Sequence, residues 1–506
     1  MFKDDKIVVG KNKKTEACLL AKLANRHGLI CGASGTGKTI TSKVMAESLS
    51  DAGIPVFMAD VKGDLSGTAV IGEMNENILK RVENLELKDF EVKEFPVRFW
   101  DVFKINGHPV KFRVEDVGPD ILSMMLGLSE AQEGVLNILF RIAKDNAWPL
   151  DKLEDLKTAL NYIGEHRSEY TTDYGNVTTQ SVGVILRSIS VLENQGIDNF
   201  FGEPELDIKD FVAFDQNGKG VINILDAVEL YKNPDLYSAI MLCLFTKIYD
   251  SMPEVGDLEK PKIVFFFDEA YFLFREMPSY RLKQVEKIVR LIRSKGIGLY
   301  FISHNTTDIP TTILDQLGNR VQHNLRAYTP SDQKIAKAAA DSFRTNPEFN
   351  TYDAILELGT GEAIVSFQNE KGEPSVAERV FILPPQSMIG VVDALTRNRI
   401  INSSAIAGKY DSEDNDESAH EIISEINKKE KEEKEAILKA KEEAKLAKEE
   451  ERRKAAEERQ KAKEAREAER KKKNSFGYKT GKRVSNRAQS FFLTKFLNAV
   501  WKKMFK

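Results

Sequence analysis

Cysteine is scarce. The 506 residues hold three, Cys18, Cys31 and Cys243, with no C-x-x-C pair and no metal-ligand spacing. That excludes a disulfide framework and suits a reducing compartment. Long apolar runs are missing too. The densest, Ile263 to Phe267, is closed by Lys262 and Asp268, far short of a membrane span. Neither sign of charge prevails, since 74 Lys and Arg stand against 78 Asp and Glu for a net charge of −4. The total therefore gives no whole-molecule case for nucleic-acid binding. Met1 to Gly10 mixes charges with short apolar pieces and lacks the apolar centre of a signal peptide. A soluble cytoplasmic protein of two or three domains is expected, with attachment to a membrane surface left open for its tail.

What is present begins with Gly32-Ala33-Ser34-Gly35-Thr36-Gly37-Lys38-Thr39, a complete match to G-x-x-x-x-G-K-[ST]. Gly28 to Cys31 before it reads as a buried strand, and Ile40 to Leu49 after it as a helix with an apolar face. Strand, glycine loop and helix form the context this motif requires. Successive backbone N–H groups can then turn around phosphate oxygens at a helix N-terminus. Lys38 is expected to reach the β- and γ-phosphates of a nucleoside triphosphate. The Thr39 hydroxyl is expected to take one position on Mg2+.

Strand candidates recur through residues 1–400: Leu29–Cys31, Val56–Ala59, Val97–Trp100, Val221–Leu225, Ile263–Phe267, Leu299–Ile302 and Ala363–Phe367. Helical patterns separate most of them, which predicts an α/β fold with a mostly parallel sheet. Residues 1–118 form the first part of that core and 216–400 the second. Between them, 119–215 lack strand signals and repeat apolar residues at three- and four-residue spacing, as in Ala131 to Lys144 and Ser181 to Asn194, so a helical insertion is expected. Residues 401–420 are an acidic linker. Residues 421–473 are almost all Glu, Lys, Arg and Ala. Ile437, Leu438 and Leu446 are too few to sustain a coiled-coil seam, so a long solvated helix braced by Glu–Lys pairs is favoured over a coiled coil. The last segment, 474–506, holds eight Lys or Arg and no acid. Phe492, Phe496, Ala499, Val500 and Lys503 would share one side of a helix there. Such a helix suits an anionic membrane surface, a partner's groove or packing on its own protein.

Ile263-Val264-Phe265-Phe266-Phe267-Asp268-Glu269 is an apolar strand ending in two acids. Downstream of a phosphate loop, Asp268 suits a Mg2+ ligand, usually through water. Glu269 suits the base that polarises water in line with the γ-phosphate. A phosphotransferase acting on a small molecule would not need that pair. Leu299-Tyr300-Phe301-Ile302-Ser303-His304 is a second strand ending in polar groups, and His304 could sense the γ-phosphate or orient water. Arg290, Arg293, Arg320 and Arg326 follow the same edge and include candidates for an arginine that reaches a neighbouring subunit's nucleotide.

With these pieces placed, the chain resembles the HerA/FtsK branch of phosphate-loop ATPases, and more closely the bacterial DUF853 family of HerA-like ATPases. The resemblance runs from Ala24 to about Pro385. Val56 to Gly67, Phe95 to Asp101, Phe201-Gly202-Glu203-Pro204, Gly220 to Leu225, Val289 to Gly296 and Leu317 to His323 carry it. It implies a RecA-like phosphate-loop core and hexamers with nucleotide sites between subunits. It also implies that Asp60 and Lys62 lie close to the site and that Arg320 acts in trans. Relatives usually carry Gln at the position of His304 and His at the position of Tyr271. Only about thirty residues precede the loop, so the N-terminal barrel of the larger HerA helicases is not expected in this sequence. The catalytic set is thus Lys38, Glu269, His304 and Arg320. The expected activity is Mg2+-dependent ATP hydrolysis by a ring motor acting on DNA, with Lys62, Arg281, Lys283 and Lys287 as candidate contacts. Motion of protein or membrane cargo through the tail, or a slow assembly switch, remain the alternatives.

Overall fold

The computed structural model describes residues 1–475, apart from 257, 276, 278 and 412–417. The chain divides into two units, Met1–Ser424 and Glu425–Lys506. Of the second, the described part continues a helix, Ala419–Ser475. Apart from Asn474 and Ser475, the basic tail lies outside the described residues, as do residues 412–417 of the acidic linker.

In the first unit, apolar runs closed by polar residues become strands buried along their length. These are β4 (Gly28–Cys31), β5 (Val56–Asp60), β9 (Ile263–Phe267) and β10 (Ile297–Ser303). Burial on both faces is what a parallel sheet covered by helices requires. The remaining strands are β1 (Phe2–Lys3), β2 (Lys6–Lys11), β3 (Glu16–Leu20), β6 (Val97–Asp101), β7 (His108–Pro109), β8 (Ile222–Asp226), β11 (Asn319–Gln322), β12 (Glu362–Ser366) and β13 (Glu378–Ile382). Thirteen strands form one sheet in the order β1-β2-β13-β12-β11-β4-β10-β9-β5-β8-β6-β7, with β3 paired to β2. From β11 to β7 every pairing is parallel, whereas β12, β13 and β1–β3 pair antiparallel on one flank. The chain is therefore an α/β protein with a mostly parallel sheet. Each of Phe265, Phe266 and Phe267 is at most 1% exposed, so truncating any one to Ala would cost about 3–5 kcal/mol.

Helix α1 (Lys38–Asp51) leaves the phosphate loop and is buried from Thr41 to Ser50. Its charged groups are buried but partnered: Lys43 Nζ donates to the carbonyl of Met388, and Glu47 accepts from the backbone N–H groups of Gln386 (2.8 Å) and Ser387 (3.1 Å). The segment after β13 thus crosses α1 and fixes it. Helix α2 (Glu76–Asn84) precedes β6. Between β7 and β8 come α3 (Val114–Met125), α4 (Glu130–Asp145), α5 (Leu153–Glu165), α6 (Arg167–Tyr174) and α7 (Thr179–Asn194), with no named strand among the described residues. Helix α8 (Pro234–Ser251) leads to β9, α9 (Tyr271–Phe274) and α10 (Ser279–Leu291) follow it, and α11 (Thr311–Leu314) precedes β11. Helices α12 (Pro330–Asp341) and α13 (Thr351–Glu357) lie between β11 and β12. Helix α14 (Ala394–Ser403) comes after β13, and α15 is Ala419–Ser475. From residue 425 to 471 its side chains are almost all exposed, with pairs such as Glu425–Lys429 (3.4 Å) and Glu430–Lys434 (3.3 Å) one turn apart.

Candidate nucleotide-binding and hydrolysis site

The phosphate loop leaves β4 at the C-terminal edge of the parallel sheet and is fastened on both sides. Gly32 N–H donates to Ser303 of β10 (3.3 Å), and Ala33 N–H to Asn324 beyond β11 (2.9 Å). A side chain at Gly32 would bring Cβ to 2.5 Å from Cβ of His323, so only glycine fits. Gly37 has φ +118, which lets the chain turn into α1. Thr36 Oγ1 donates to the Ala33 carbonyl (2.8 Å), closing the loop on itself. Lys38 is buried, and its Nζ donates to the carbonyls of Gly32 (2.7 Å) and Ala33 (3.3 Å). Burial holds its pKa below the usual lysine value, against the opposing pull of Glu269. Thr39 follows in the first turn of α1, half-buried.

Two strands away, with β10 between, β9 delivers Asp268 and Glu269 at the same edge. Asp268 Oδ1 accepts from Glu269 N–H (2.9 Å), and the Tyr237 hydroxyl donates to the Asp268 carbonyl (2.7 Å). Burial, then the charge of Glu269, pushes the Asp268 pKa up to about 6, while Lys62 and Lys38 oppose. Glu269 is 4% exposed and sits at φ +50, a backbone conformation that non-glycine residues seldom adopt. Such strain is retained where the surroundings over-determine it, commonly at functional sites. Burial pushes its carboxyl pKa up, but His304, Lys38 and Lys62 outweigh that and hold it below the usual range.

His304 joins the two halves. Its Nε2 is 3.0 Å from Ser34 Oγ in the phosphate loop, and its Nδ1 is 3.2 Å from Glu269 Oε2. The second contact is close but misaligned, so Oε2 makes no hydrogen bond among the described residues. A line therefore runs from loop hydroxyl to imidazole to carboxylate. Lys62 is exposed on the loop after β5, and its charge acts on Lys38, Asp268 and Glu269. Asp60 does not reach toward this group. Its carboxylate accepts from Gly63 N–H (2.7 Å) and Leu65 N–H (3.0 Å), so it shapes the turn that presents Lys62. Burial and then Asp64 push the Asp60 pKa up to about 7.

Arg320, expected to act in trans, lies apart from these groups of its own subunit. On β11 it stands opposite Leu29, two residues short of the strand end. Its guanidinium donates to the carbonyls of Leu314 (3.2 Å), Leu317 (3.2 Å) and Ser342 (3.3 Å). A side chain spent on three carbonyls of its own subunit is not extended toward a neighbour. Arg326, in contrast, is exposed two residues beyond Asn324. Arg281 is likewise not a free surface cation, being buried with Nη2 3.3 Å from Glu133 Oε2.

Two groups that matter gave little sign of it in the sequence. His323 is fully buried beneath the loop, with Nε2 2.8 Å from Thr41 Oγ1 and Nδ1 2.9 Å from the Glu362 carbonyl. Gly361 N–H donates to the Thr36 carbonyl (3.0 Å), although Gly359-Thr360-Gly361 reads only as a turn. His323 lies just after β11 and Gly361 just before β12, far in sequence from the loop they support.

A complete phosphate loop at the edge of a parallel sheet, facing an Asp-Glu pair on a strand two places away, defines a phosphate-loop ATPase. The chain belongs to the helicase HerA-like C-terminal family, whose model matches residues 5–500. It is 24% identical over 381 residues to the DNA double-strand break repair helicase HerA of Sulfurisphaera tokodaii, covering 72% of this chain and 67% of that protein. To the HerA of Saccharolobus solfataricus it is 22% identical over 371 residues, 71% of this chain and 64% of that one. The chain thus spans about two thirds of the length of these relatives. Among solved structures, the plasmid coupling protein TrwB in complex with a non-hydrolysable GTP analogue aligns with TM-score 0.49 and 13% identity, over 76% of this chain and 90% of that one.

Proposed function

We propose that the chain hydrolyses ATP with Mg2+ and couples hydrolysis to movement on DNA as part of a ring of identical subunits. The observation that carries the hydrolytic part is the line Ser34–His304–Glu269, which ties the phosphate loop to a strained, ionised carboxylate. In this reading Lys38 leaves the loop carbonyls for the β- and γ-phosphates. Glu269, kept ionised by its cationic neighbours, takes a proton from water attacking the γ-phosphorus. His304 fixes the carboxylate and reports through Ser34 whether the loop is filled. Lys62 adds positive charge where the transferred phosphoryl group gathers negative charge.

The donor set fits Mg2+. Among the described residues no group of three or more His, Cys, Asp or Glu could hold a metal alone. Magnesium prefers one or two protein oxygens together with phosphates and water. Thr39 Oγ1 and Asp268 are those oxygens, and Asp268 Oδ2 takes no hydrogen bond among the described residues. Bound there, the ion would neutralise phosphate charge. The trans-acting arginine passes from Arg320 to the exposed Arg326, in a ring whose family relatives are named as DNA repair helicases.

Steady-state ATP hydrolysis by the purified protein, with and without duplex and single-stranded DNA at low and near-physiological salt, tests the whole reading. Stimulation that fades with salt is expected, because phosphate contacts release counterions. Hydrolysis indifferent to DNA would move the cargo to protein or membrane. No hydrolysis under any condition would overturn the ATPase.

A further inference from the structure

We infer that Asp308 is a positioning residue for hydrolysis: one oxygen of its carboxylate holds both chain neighbours of His304 and so aims the imidazole at Ser34 and Glu269. This rests on the proposed hydrolytic role of the Ser34–His304–Glu269 line and names the group that keeps the line in place.

His304 needs such a group. It is the first residue past β10, where pairing with the neighbouring strands has ended. Its ring has to meet two targets at once, Ser34 at 3.0 Å and Glu269 at 3.2 Å. A displacement of about 1 Å at such a site can cost about a hundredfold in rate.

Up to Ser303 the strand is fixed from both sides. The Ile302 carbonyl accepts from the N–H of Ala270, the residue after Glu269 (2.9 Å). The Ser303 carbonyl accepts from Gly32 N–H at the start of the phosphate loop (3.3 Å). Successive residues of one strand end thus bind both halves of the site. Beyond them Asp308 takes over. Its Oδ2 accepts from the Ser303 hydroxyl (2.6 Å) and from Asn305 N–H (2.9 Å), so His304 is held from before and behind. Hydrogen bonds to a carboxylate are among the strong ones.

A brace for the turn alone would not need the first of these bonds. The bond from Asn305 N–H is the ordinary reciprocal cap of the short turn Thr306–Asp308. The Ser303 bond is additional and reaches back past His304 into β10. The turn is itself anchored. Ile309 and Ile313 after it are buried, and Arg320 donates to the carbonyls of Leu314 and Leu317 further along. Arg320 therefore steadies the segment that carries Asp308.

Steady-state ATP hydrolysis by the full-length protein in Mg2+ tests this with Asp308→Ala, Asp308→Asn, His304→Ala and the double variant Asp308→Ala/His304→Ala. Asp308→Ala should lower kcat about tenfold to a hundredfold and leave KM for ATP within about twofold. Asparagine keeps a carbonyl oxygen for both donors, so Asp308→Asn should hold kcat within about threefold of the unmodified protein. In the His304→Ala background the loss from Asp308→Ala should vanish, because its whole effect passes through the imidazole. Losses that multiply in the double variant would overturn the inference. So would an asparagine variant as slow as the alanine variant, or an alanine variant at the unmodified rate. Should Asp308→Ala fail to fold, Ser303→Ala removes only the additional bond. It should slow kcat severalfold with His304 present and not at all without it; a loss in both backgrounds overturns the inference equally. An unchanged kcat in His304→Ala is a different failure, which removes the imidazole from the reaction and Asp308 with it. No hydrolysis by the unmodified protein would end the ATPase reading itself, and the positioning role with it.

Discussion

His323 gives the sharpest quantitative expectation, because its environment fixes both its tautomer and its charge. Nδ1 faces the Glu362 carbonyl at 2.9 Å and must carry the hydrogen, so Nε2 accepts from the Thr41 hydroxyl at 2.8 Å. Burial lowers its pKa to about 4; the bond to Glu362 opposes that shift and the charge of Lys38 adds to it. A group whose folded value lies below its unfolded value contributes stability above the unfolded pKa, near 6.5. That stability is lost as pH falls toward about 4. Between about pH 7.5 and about pH 5 the linkage relation gives a loss of about 2 kcal/mol from this residue. His27 is buried in the same way, with a pKa also lowered to about 4, and doubles the effect. Together they would remove about 4 kcal/mol from a typical stability of about 5–15 kcal/mol.

Buried acids with raised values, Asp60 among them, act in the opposite sense, so the readout is a difference. Urea unfolding of the wild type and of His323→Gln should be compared at both pH values. At the higher pH the variant should be less stable by about 1 kcal/mol for the lost hydrogen bond. At the lower pH that gap should close or reverse by about 2 kcal/mol, because glutamine does not titrate. ATP affinity should follow, since His323 supports the loop through Gly32 and Thr41. A stability gap that stays constant across the pH range would refute the argument that the imidazole is held neutral.

The remaining expectations address the site. Lys38→Ala should abolish ATP turnover with little change in stability; undiminished hydrolysis would remove the phosphate loop from the chemistry. Glu269→Gln should keep ATP affinity within a few-fold and lower kcat by about 10²–10⁴, the range for losing a general base; a kcat near wild type would favour a slow assembly switch. Gly32→Ala should lower stability by about 1–3 kcal/mol, because its Cβ would stand 2.5 Å from that of His323; an unchanged thermal midpoint would contradict the packing. Arg320→Lys should cost about 2 kcal/mol of stability, since lysine cannot serve three carbonyls at once, and leave kcat per folded molecule unchanged. A collapse of kcat with stability intact would return Arg320 to the reaction.

Much of the parallel sheet was legible because its strands are buried on both faces and read as unbroken apolar runs. Ile263 to Phe267 and Leu299 to Ile302 are such runs, and each ends in the polar residues that form the site. The antiparallel flank was not legible in the same way. Strand β13 pairs with β2 from the other end of the globular chain, and no local pattern encodes a partner that distant. The same applies to the arginines: their spacing made Arg320 and Arg326 equal, and only the carbonyls around Arg320 tell them apart.

By itself the sequence determined the phosphate loop, its lysine and threonine, and the Asp-Glu pair, because these depend on residue type at fixed local spacing. It could equally determine that residues 421–473 favour a solvated helix, since few apolar side chains occur there to bury. Only the tertiary structure decided that His304 bridges Ser34 and Glu269, that Asp60 braces a turn, that His323 and Gly361 support the loop, and that Asp308 holds both neighbours of His304. Those relations join residues brought together by strand order, and strand order is set by the packing of the whole sheet rather than by any one segment.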